Sequence, residues 1–174
     1  MNPPYIRAAQ PADAEALAEL GARTFSDAFA ADNRPEDMAA YMAQAYTPEQ
    51  MAAELADPWI VTVVAESEGK LVAYAQVGRG SAPPCVTGDP VELRRFYLDR
   101  AWQGSGLAAP LMAEAVRAAS FLGGTTFWLG VWERNPRAIR FYTKHGFVDV
   151  GSHVFQLGSD AQTDRIMSRP LPAA

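Results

Sequence analysis

The sequence has few cysteines, no long apolar run and no signal-peptide pattern, and each of these absences excludes a class of protein. Only Cys85 among the 174 residues is a cysteine, which excludes an intramolecular disulfide framework and any metal site made of several cysteines. No apolar run approaches the ~20 residues that a membrane-spanning helix needs. The first residues also lack the charged region and apolar segment of a signal peptide. We therefore expect a cytoplasmic protein that does not insert into a membrane.

Positive charge is in short supply as well. Lys and Arg total 15 against 20 for Asp and Glu, which gives a net charge of -5. This balance argues against nucleic acid as a partner, because phosphate backbones are bound by basic surfaces. Hydrophobic residues make up 49% and charged residues 20%, as in ordinary soluble globular proteins. An acidic chain is compatible with a cationic small substrate.

Helical and extended patterns alternate along a chain that has no internal repeat, low-complexity tract or long linker. Apolar residues at helical spacing fill most of residues 11–56. Two later helices are predicted at 110–122 and 135–145. The predicted strands are 5–7, 59–66, 71–77, 91–99, 125–132, 147–150, 154–157 and 163–168. This order predicts one domain over residues 1–174 with a mixed α/β or α+β sheet.

A glycine-containing segment lies between the predicted strand 91–99 and the helix that follows it. Residues 103–108 read Gln-Gly-Ser-Gly-Leu-Ala. Gly104 and Gly106 let the backbone come close to a bulky anion. The free amides of the first helical turn then point at that anion, and the helix dipole favours its negative charge. The segment therefore predicts a binding site for a phosphorylated ligand.

Two common phosphate motifs do not account for this segment. A Walker A loop needs Lys after its last glycine, but Gly106 is followed by Leu107. A dinucleotide fingerprint is matched in spacing by its two glycines and Ala109, yet residues 100–103 separate it from the preceding strand. The acidic residue that would hold a ribose is also missing from 125–130.

A third interpretation fits better. Gln103-x-x-Gly106-x-Ala108 resembles the signature of the GNAT superfamily of acyl-CoA-dependent N-acetyltransferases. A second segment, Asn135-x-x-Ala138-x-x-x-Tyr142-x-x-x-Gly146-Phe147, is similar to that superfamily's second CoA-binding segment in order and distance. The resemblance covers most of residues 71–150. It implies a mostly antiparallel twisted sheet flanked by helices, a splayed strand at the cofactor site, an acyl-CoA-binding core at 91–150 and acetyl-CoA as cosubstrate.

The two ends of the chain resemble a narrower group, the bacterial PaiA-type acetyltransferases. The similar segments are 24–29, 33–37, 151–158 and 162–167. That group is linked to spermidine and spermine acetylation, so the resemblance suggests a polyamine acceptor. A protein or peptide amine as acceptor, and a non-catalytic acyl-CoA-binding regulatory module, remain alternatives. Dimers are common in the superfamily, and a homodimer is therefore expected.

The resemblance also implies roles for individual residues. The amides of the glycine segment would bind the CoA pyrophosphate. Free backbone groups of the strand before it would pair with pantetheine and polarise the thioester carbonyl, as in an oxyanion hole. The implied cofactor-binding residues are Phe96, Tyr97, Leu98, Gln103, Gly104, Ser105, Gly106, Leu107, Ala108, Asn135, Ala138 and Tyr142.

A general base is expected because aminolysis needs a neutral amine. An amine with a Lys-like pKa of ~10.4 is neutral about once in 2,500 at pH 7, and deprotonating it costs roughly 4–5 kcal/mol. Glu92, on the strand that leads to the glycine segment, is the first candidate. The alternative is a strand carboxylate that pairs with Arg94 or Lys70.

Tyr142 matches the tyrosine that in the superfamily assists the leaving thiolate, and a phenol with a pKa of ~10 is protonated at neutral pH. The alternative is a core tyrosine. Asn135 has two compatible interpretations, a hydrogen bond to pantetheine and an N-cap before Pro136.

In the superfamily the N-terminal helices help shape the acceptor pocket, so the resemblance implies that residues 11–56 do so here. Aromatic side chains could pack an aliphatic amine, and a carboxylate could hold a distant ammonium. The candidates are Phe25, Phe29, Asp37 and Tyr41, of which the last two share a helix face. The alternatives are helix core for the phenylalanines and a solvated first-turn carboxylate for Asp37.

Other reactive side chains are not assigned chemistry. Cys85 lies in a loop with no His nearby in sequence, so direct attack in a ternary complex is favoured over an acyl-cysteine. His145 and His153 have no partner at metal-ligand spacing, and we expect no metal.

Overall fold

A seven-stranded sheet lies at the centre of the computed structural model, which describes residues 3–172. The strands lie in the order β1-β2-β3-β4-β5-β7-β6. Their bounds are β1 Tyr5–Ala8, β2 Ile60–Ser67, β3 Lys70–Arg79, β4 Pro90–Leu98, β5 Thr126–Trp132, β6 Val148–Leu157 and β7 Asp160–Pro170. The helices are α1 Ala14–Phe29, α2 Pro35–Ala45, α3 Pro48–Ala56, α4 Ala108–Phe121 and α5 Pro136–Lys144, with short 3₁₀ turns at Pro11–Asp13, Ala30–Asp32 and Arg100–Trp102.

Neighbouring strands are antiparallel throughout this sheet except for β4 and β5. Those two run parallel and pair at three positions, from Pro90 opposite Thr126 to Glu92 opposite Trp128. The sequence-based prediction of a mixed, mostly antiparallel sheet flanked by helices is confirmed.

Helices cover both faces of the sheet, so each face has an apolar core of its own. On one face α1 and α3 pack Leu17, Leu20 and Met51 against Val64 and Tyr74 of the sheet. On the other face α4 is the main cover. The fully buried side chains there include Leu111, Met112, Phe127, Leu129 and Phe147. Each fully buried side chain of this size contributes about 1.5–3 kcal/mol.

The helical region 11–56 begins with a 3₁₀ turn and continues as α1–α3. Pro35 and Pro48 occupy the first turns of α2 and α3, where a missing amide hydrogen costs nothing. Thr47 caps α3, since its side chain accepts a hydrogen bond from the Gln50 amide at 3.1 Å. Among the helices within residues 3–172, none is long and apolar enough to cross a membrane.

Helix α4 begins earlier than predicted. It starts at Ala108 rather than at residue 110, so Pro110 is its third residue. The first turn of a helix makes no intrahelical bonds through its amides, and a proline is tolerated there. The proline therefore marks the first turn and not the first residue.

The C-terminal strands are longer than predicted. The predicted strands 147–150 and 154–157 are one strand, β6, and 163–168 is the middle of β7. The register between β6 and β7 shifts between Asp149 and Gly151. A bulge of this kind bends a strand without ending it, which is why the glycine there looks like a break in the sequence.

A buried polar network joins β4 to α3 beneath the sheet. Arg95 of β4 forms an ion pair with Glu54 of α3, and its second guanidinium nitrogen lies 3.2 Å from the same carboxylate. The Gln76 side chain donates a hydrogen bond to the Glu54 carboxylate at 3.0 Å, and the Gln50 side chain donates another at 2.9 Å. Burial alone would raise the pKa of Glu54, but the hydrogen bonds with Arg95 and its neighbours hold that pKa below its usual value.

We predict that Glu54→Gln lowers the free energy of unfolding by about 3 kcal/mol, because it leaves the buried Arg95 charge uncompensated. Urea unfolding at pH 7 measures this. Glu49→Gln, an exposed change on the same helix, is the control and should be neutral. Since folding lowers the pKa of Glu54, the stabilisation exists above pH of about 4.5 and is lost as pH falls through the folded value. Equal stability of the two variants would contradict the prediction.

Candidate active site

The divergence of β4 and β5 opens a cleft of about 720 Å³ at the centre of the sheet. Pairing between the two strands ends at Glu92. Beyond it, residues 93–98 and 129–132 line the two sides of the opening. The edge of β4 that faces β5 has no strand partner there, so its backbone groups are available to a ligand. The register between β3 and β4 also shifts next to Val77 and leaves Arg94 as an extra residue, which bends β4.

The glycine segment forms a backbone loop at the mouth of this cleft. Gly104 has a φ of 80° and Gly106 a φ of 90°, in the region that strains any other residue. A Cβ at either position would meet nothing within 4 Å, so the conformation, and not crowding, requires glycine. Helix α4 follows with no side chain capping its first turn. The amides of Ala108 and Ala109 are therefore free to bind an anion.

Most of the predicted cofactor residues lie on this cleft. Those that line it are Phe96, Tyr97, Leu98, Gln103, Gly104, Ala108, Asn135, Ala138 and Tyr142. Ser105, Gly106 and Leu107 do not line it. Leu107 is buried in the apolar core, and its amide donates to the Ser105 hydroxyl at 3.3 Å. The cofactor-binding roles stay predictions. Of Ser105, Gly106 and Leu107, only Gly106 keeps a backbone amide that is available to bind a ligand.

Besides Arg95, three arginines that were not predicted from the sequence line the same cleft. They are Arg100, Arg134 and Arg137. Arg137 donates a hydrogen bond to the Gln103 side chain at 2.9 Å, which connects the start of α5 to the glycine segment. A positive charge beside the free amides of a helix N-terminus favours anionic ligands. Arg134 and Arg137 flank Asn135 in sequence, and that proximity was the available signal.

Tyr142 lies against the cleft in an aromatic setting. Its ring centroid is 6.4 Å from that of Phe96, 5.5 Å from Phe141 and 5.8 Å from Phe147. Its hydroxyl has no hydrogen-bond partner among residues 3–172. Burial raises the pKa of Tyr142, so the phenol carries its proton at neutral pH. The side chain is thus packed like a core residue and still presents a donor to the cleft.

Glu92 lines the cleft at the last position of β4 that pairs with β5. Burial raises the pKa of its carboxyl, and the charge of Arg94 opposes that shift. Within the described chain, neither Arg94 nor Lys70 forms a salt bridge with Glu92, and Arg94 lies 3.5 Å from Glu54 instead. Glu92 is therefore free to interact with a ligand, and its role as a base stays a prediction.

Three of the four predicted acceptor residues lie together on the cleft. Phe25 stacks on Tyr41 with 4.8 Å between ring centroids and lies 4.7 Å from Phe29. Trp132 and Phe155 extend this aromatic wall through contacts with Phe29 and Tyr41. Phe25 and Phe29 pack in the apolar core beneath the N-terminal helices and also line the cleft, because this core extends as far as the cleft wall.

Asp37 is placed differently from both of its predicted roles. It does not line the cleft, and it is buried, with 6% of its surface exposed. One carboxylate oxygen accepts hydrogen bonds from the Ser159 amide at 2.7 Å and the Ser159 hydroxyl at 2.8 Å. These bonds lower the pKa of Asp37. The residue fastens the β6–β7 turn to α2, a contact across 122 positions that local sequence does not reveal.

The other candidates have structural positions. The Asn135 side chain accepts a hydrogen bond from the Ala138 amide at 3.1 Å, the bond of an N-cap, while the residue also lines the cleft. Cys85 lies outside the cleft, next to Gly151 of β6. His145 ends α5, and its ring packs on Phe141. In the described part of the chain no group of three or more His, Cys, Asp and Glu side chains could hold a metal ion.

Comparison with known proteins agrees with this geometry. The sequence model of the acetyltransferase (GNAT) family matches residues 20–147. An uncharacterized N-acetyltransferase of Mycobacterium tuberculosis is 36% identical over 159 residues, which covers 91% of this chain and 98% of the relative.

Solved structures share the fold. The PaiA N-acetyltransferase of Thermoplasma acidophilum, in complex with coenzyme A, superposes with a TM-score of 0.78 at 20% sequence identity. The superposition covers 96% of this chain and 98% of the PaiA chain. YncA of Salmonella typhimurium, with its cofactor acetyl-CoA, gives a TM-score of 0.71 at 23% identity, with 98% and 95% covered.

We predict that Asp37→Ala frees the β6–β7 turn, because the Ser159 amide loses its acceptor. Hydrogen exchange of that amide should accelerate by about 10-fold or more, as expected when a local opening becomes easier. In the wild type the protection of this amide, relative to its intrinsic exchange rate at each pH, should fall in the same way as pH drops through the lowered pKa of Asp37. Glu36→Ala, a change at the exposed neighbouring residue, is the control. Unchanged exchange of Ser159 would refute this role.

Proposed function

The chain belongs to the acetyltransferase (GNAT) family and is an N-acetyltransferase, and we propose that it moves an acetyl group from acetyl-CoA to a primary amine by direct attack in a ternary complex. The best support is the cleft between β4 and β5, along which the glycine segment, an unpaired strand edge and a group of aromatic side chains line one continuous opening. A non-catalytic binding module would not need the third of these.

The residues at the mouth of the cleft fit a pyrophosphate. The amides of Ala108 and Ala109 at the start of α4 would donate hydrogen bonds to it, and Gly104 and Gly106 give the backbone its approach. Arg137, held by Gln103, adds a positive charge. Acetyl-CoA, when bound, supplies a thioester that carries both the acetyl group and its leaving thiolate.

The edge of β4 would orient and polarise the thioester. Backbone amides of residues 96–98 that face β5 have no strand partner. A donor fixed in advance at a carbonyl oxygen stabilises the negative charge that develops during attack, and its removal from other enzymes costs roughly 3–4 kcal/mol.

Glu92 and Tyr142 would each take part in one proton transfer, Glu92 at the attacking amine and Tyr142 at the leaving sulfur. We assign Glu92 to accept a proton from the amine, a role that a carboxyl with a raised pKa performs better than an ordinary one. Tyr142 would donate a hydrogen bond, and then its proton, to the leaving sulfur. The raised pKa of its phenol keeps that proton in place until the thiolate forms.

The acceptor we propose is a polyamine. Support comes from the aromatic wall of Phe25, Phe29 and Tyr41, which can pack a methylene chain. Asp27 and Asp32 also line the cleft, and their negative charge favours a remote ammonium group. The resemblance of segments 24–29, 33–37, 151–158 and 162–167 to PaiA-type acetyltransferases supports the same class. The proposal includes a single-domain chain that forms a homodimer in the cytoplasm, with neither nucleic acid nor membrane as partner.

Coenzyme A binding tests the cofactor half of the proposal. We expect Arg137→Gln to weaken CoA about 10-fold, because one charge-assisted contact is lost. The difference should shrink at high salt. Titration calorimetry at two salt concentrations measures this, with Arg140→Gln, a change at an exposed residue of the same helix outside the cleft, as the control. Equal affinity of the two variants would remove Arg137 from the cofactor site.

An amine panel with acetyl-CoA, followed by release of free thiol, tests the reaction itself. Spermidine and spermine should be acetylated, and peptides with free N-termini or lysines should not. Activity on peptides alone would replace the polyamine assignment by the protein-amine alternative. No thiol release with any amine would defeat the proposed reaction.

Two substitutions test the proton roles. Glu92→Gln and Tyr142→Phe should each lower kcat by about 100-fold, the size of a general acid–base contribution. Wild-type activity should fall as pH drops through the raised pKa of Glu92, and Glu92→Gln should lose that dependence. Glu68→Gln and Tyr5→Phe, changes at exposed residues, are the controls. Full activity of either cleft variant would exclude that residue from the chemistry.

A further inference from the structure

We infer that His153 accepts a second proton from the acceptor amine and passes it to solvent, with Asp164 as the residue that positions it, an inference that rests on the function proposed above. Both side chains line the cleft on strands that follow the acetyl-CoA-binding segments in sequence. The sequence alone gave His153 no partner. The structure supplies one across the β6–β7 hairpin.

His153 and Asp164 lie directly opposite each other in the ladder between β6 and β7. Asp164 is in turn opposite Trp132 of β5. Residues that pair in this way point to the same face of a sheet. Phe155, two residues beyond His153 and on the same face, contacts Tyr41 of the aromatic wall. The pair therefore lies on the face that carries the proposed acceptor pocket.

Gly130 of β5 leaves room for this pair over the cleft. A Cβ built on Gly130 would lie 3.1 Å from Asp164 Oδ2 and 3.3 Å from His153 Nε2. Both polar atoms thus lean over the one position of β5 that has no side chain. Gly130 is exposed and lies two residues after Trp128, the partner of Glu92. The Nε2 atom of His153 therefore lies over a position of β5 that is two residues beyond the last pairing with β4.

The charged groups around the imidazole all belong to the cleft. Asp164 Oδ2 lies 3.8 Å from His153 Nε2, longer than a hydrogen bond but within reach of a protonated imidazole. Burial raises the pKa of Asp164 and of Glu92, and the charge of His153 opposes both shifts. Tyr41 on α2 feels the charges of both carboxylates, and Arg94 and Arg95 act on Glu92 from its own strand.

The balance of protons requires a second acceptor. The acceptor amine arrives at neutral pH as R–NH3+ and loses one proton to expose its lone pair. It loses another after the N–C bond forms. When the C–S bond breaks, the sulfur gains one proton from Tyr142 in the proposed mechanism, and the phenolate left behind regains a proton from Glu92, which had accepted the first proton of the amine. The sum is R–NH3+ plus acetyl-CoA giving the N-acetyl amine, CoA–SH and one free proton. Two protons therefore leave the nitrogen, and one must reach solvent.

His153 suits the second role because it connects the cleft to water. Its side chain is 38% exposed, against 14% for Asp164. An imidazole changes charge between pH 5 and 8 and can take and release a proton in each cycle. Asp164 faces the same Nε2 that lies over Gly130, so its negative charge stabilises the imidazole once Nε2 has taken up a proton. The competing explanation is an ion pair that only stabilises the hairpin.

Kinetics separate these explanations. We expect His153→Gln to lower kcat/KM about 100-fold and to flatten its pH dependence near neutrality, with CoA affinity and the unfolding midpoint unchanged. Asp164→Asn should lower kcat/KM about 10-fold. Free imidazole should restore part of the activity of His153→Ala, which a structural ion pair would not allow. His145→Gln, a change at the other histidine of the chain and outside the cleft, is the matched control.

A measurement without turnover guards against variants that fold poorly. CoA affinity and the urea midpoint are measured in His153→Gln and Asp164→Asn, and both should match the wild type. A lower unfolding midpoint in both variants, with no rescue of His153→Ala by imidazole, would overturn the inference in favour of the structural ion pair. A wild-type rate and pH profile in His153→Gln would overturn it too, and would leave the proposed function intact. Absence of wild-type turnover with every amine would defeat both.

Discussion

The short parallel pairing between β4 and β5 is the constraint on which the rest of the site depends. Three paired positions hold the sheet together, and β3 and β7 support the two strands from outside. Because the strands are parallel, their carboxyl ends leave the sheet in the same direction. Each is followed by a helix, α4 or α5, whose N-terminus reaches the opening. One divergence therefore creates the cleft, the unpaired strand edge and two sets of helix-terminal groups together.

A strand that gives up one neighbour needs support elsewhere. In β4 this comes from below the sheet, where Arg95 joins Glu54 of α3 and Gln76 of β3. The register shift beside Arg94 allows the strand to bend while Glu92 keeps its place opposite Trp128. The buried ion pair and the bulge thus serve the same end. They hold the edge of β4 in a fixed position although no strand pairs with it.

The features that could be predicted from the sequence are those that neighbouring residues decide. Glycines that need positive φ, a proline in a first turn and the Asn135 cap all follow from local chemistry, and they located the loop, α4 and α5. The start of α4 was off by two residues, because proline fits several first-turn positions. Contacts between distant parts of the chain could not be predicted. Asp37 of α2 meets Ser159 only when the helix packs on the β6–β7 turn, and His153 meets Asp164 only once the register of that hairpin is set.

The two halves of the cleft are built from different parts of the chain. The half proposed to bind acetyl-CoA comes from residues 92–142, a nearly continuous stretch whose geometry is local. The acceptor half combines α1 and α2 with β6 and β7, and its parts are joined by Asp37 to Ser159 and by Asn33 to Gln162. Substitutions at the chain ends can therefore alter the proposed acceptor pocket without moving the glycine segment. That separation explains why the acyl donor can be read from short motifs, whereas the amine depends on contacts that only the folded chain brings together.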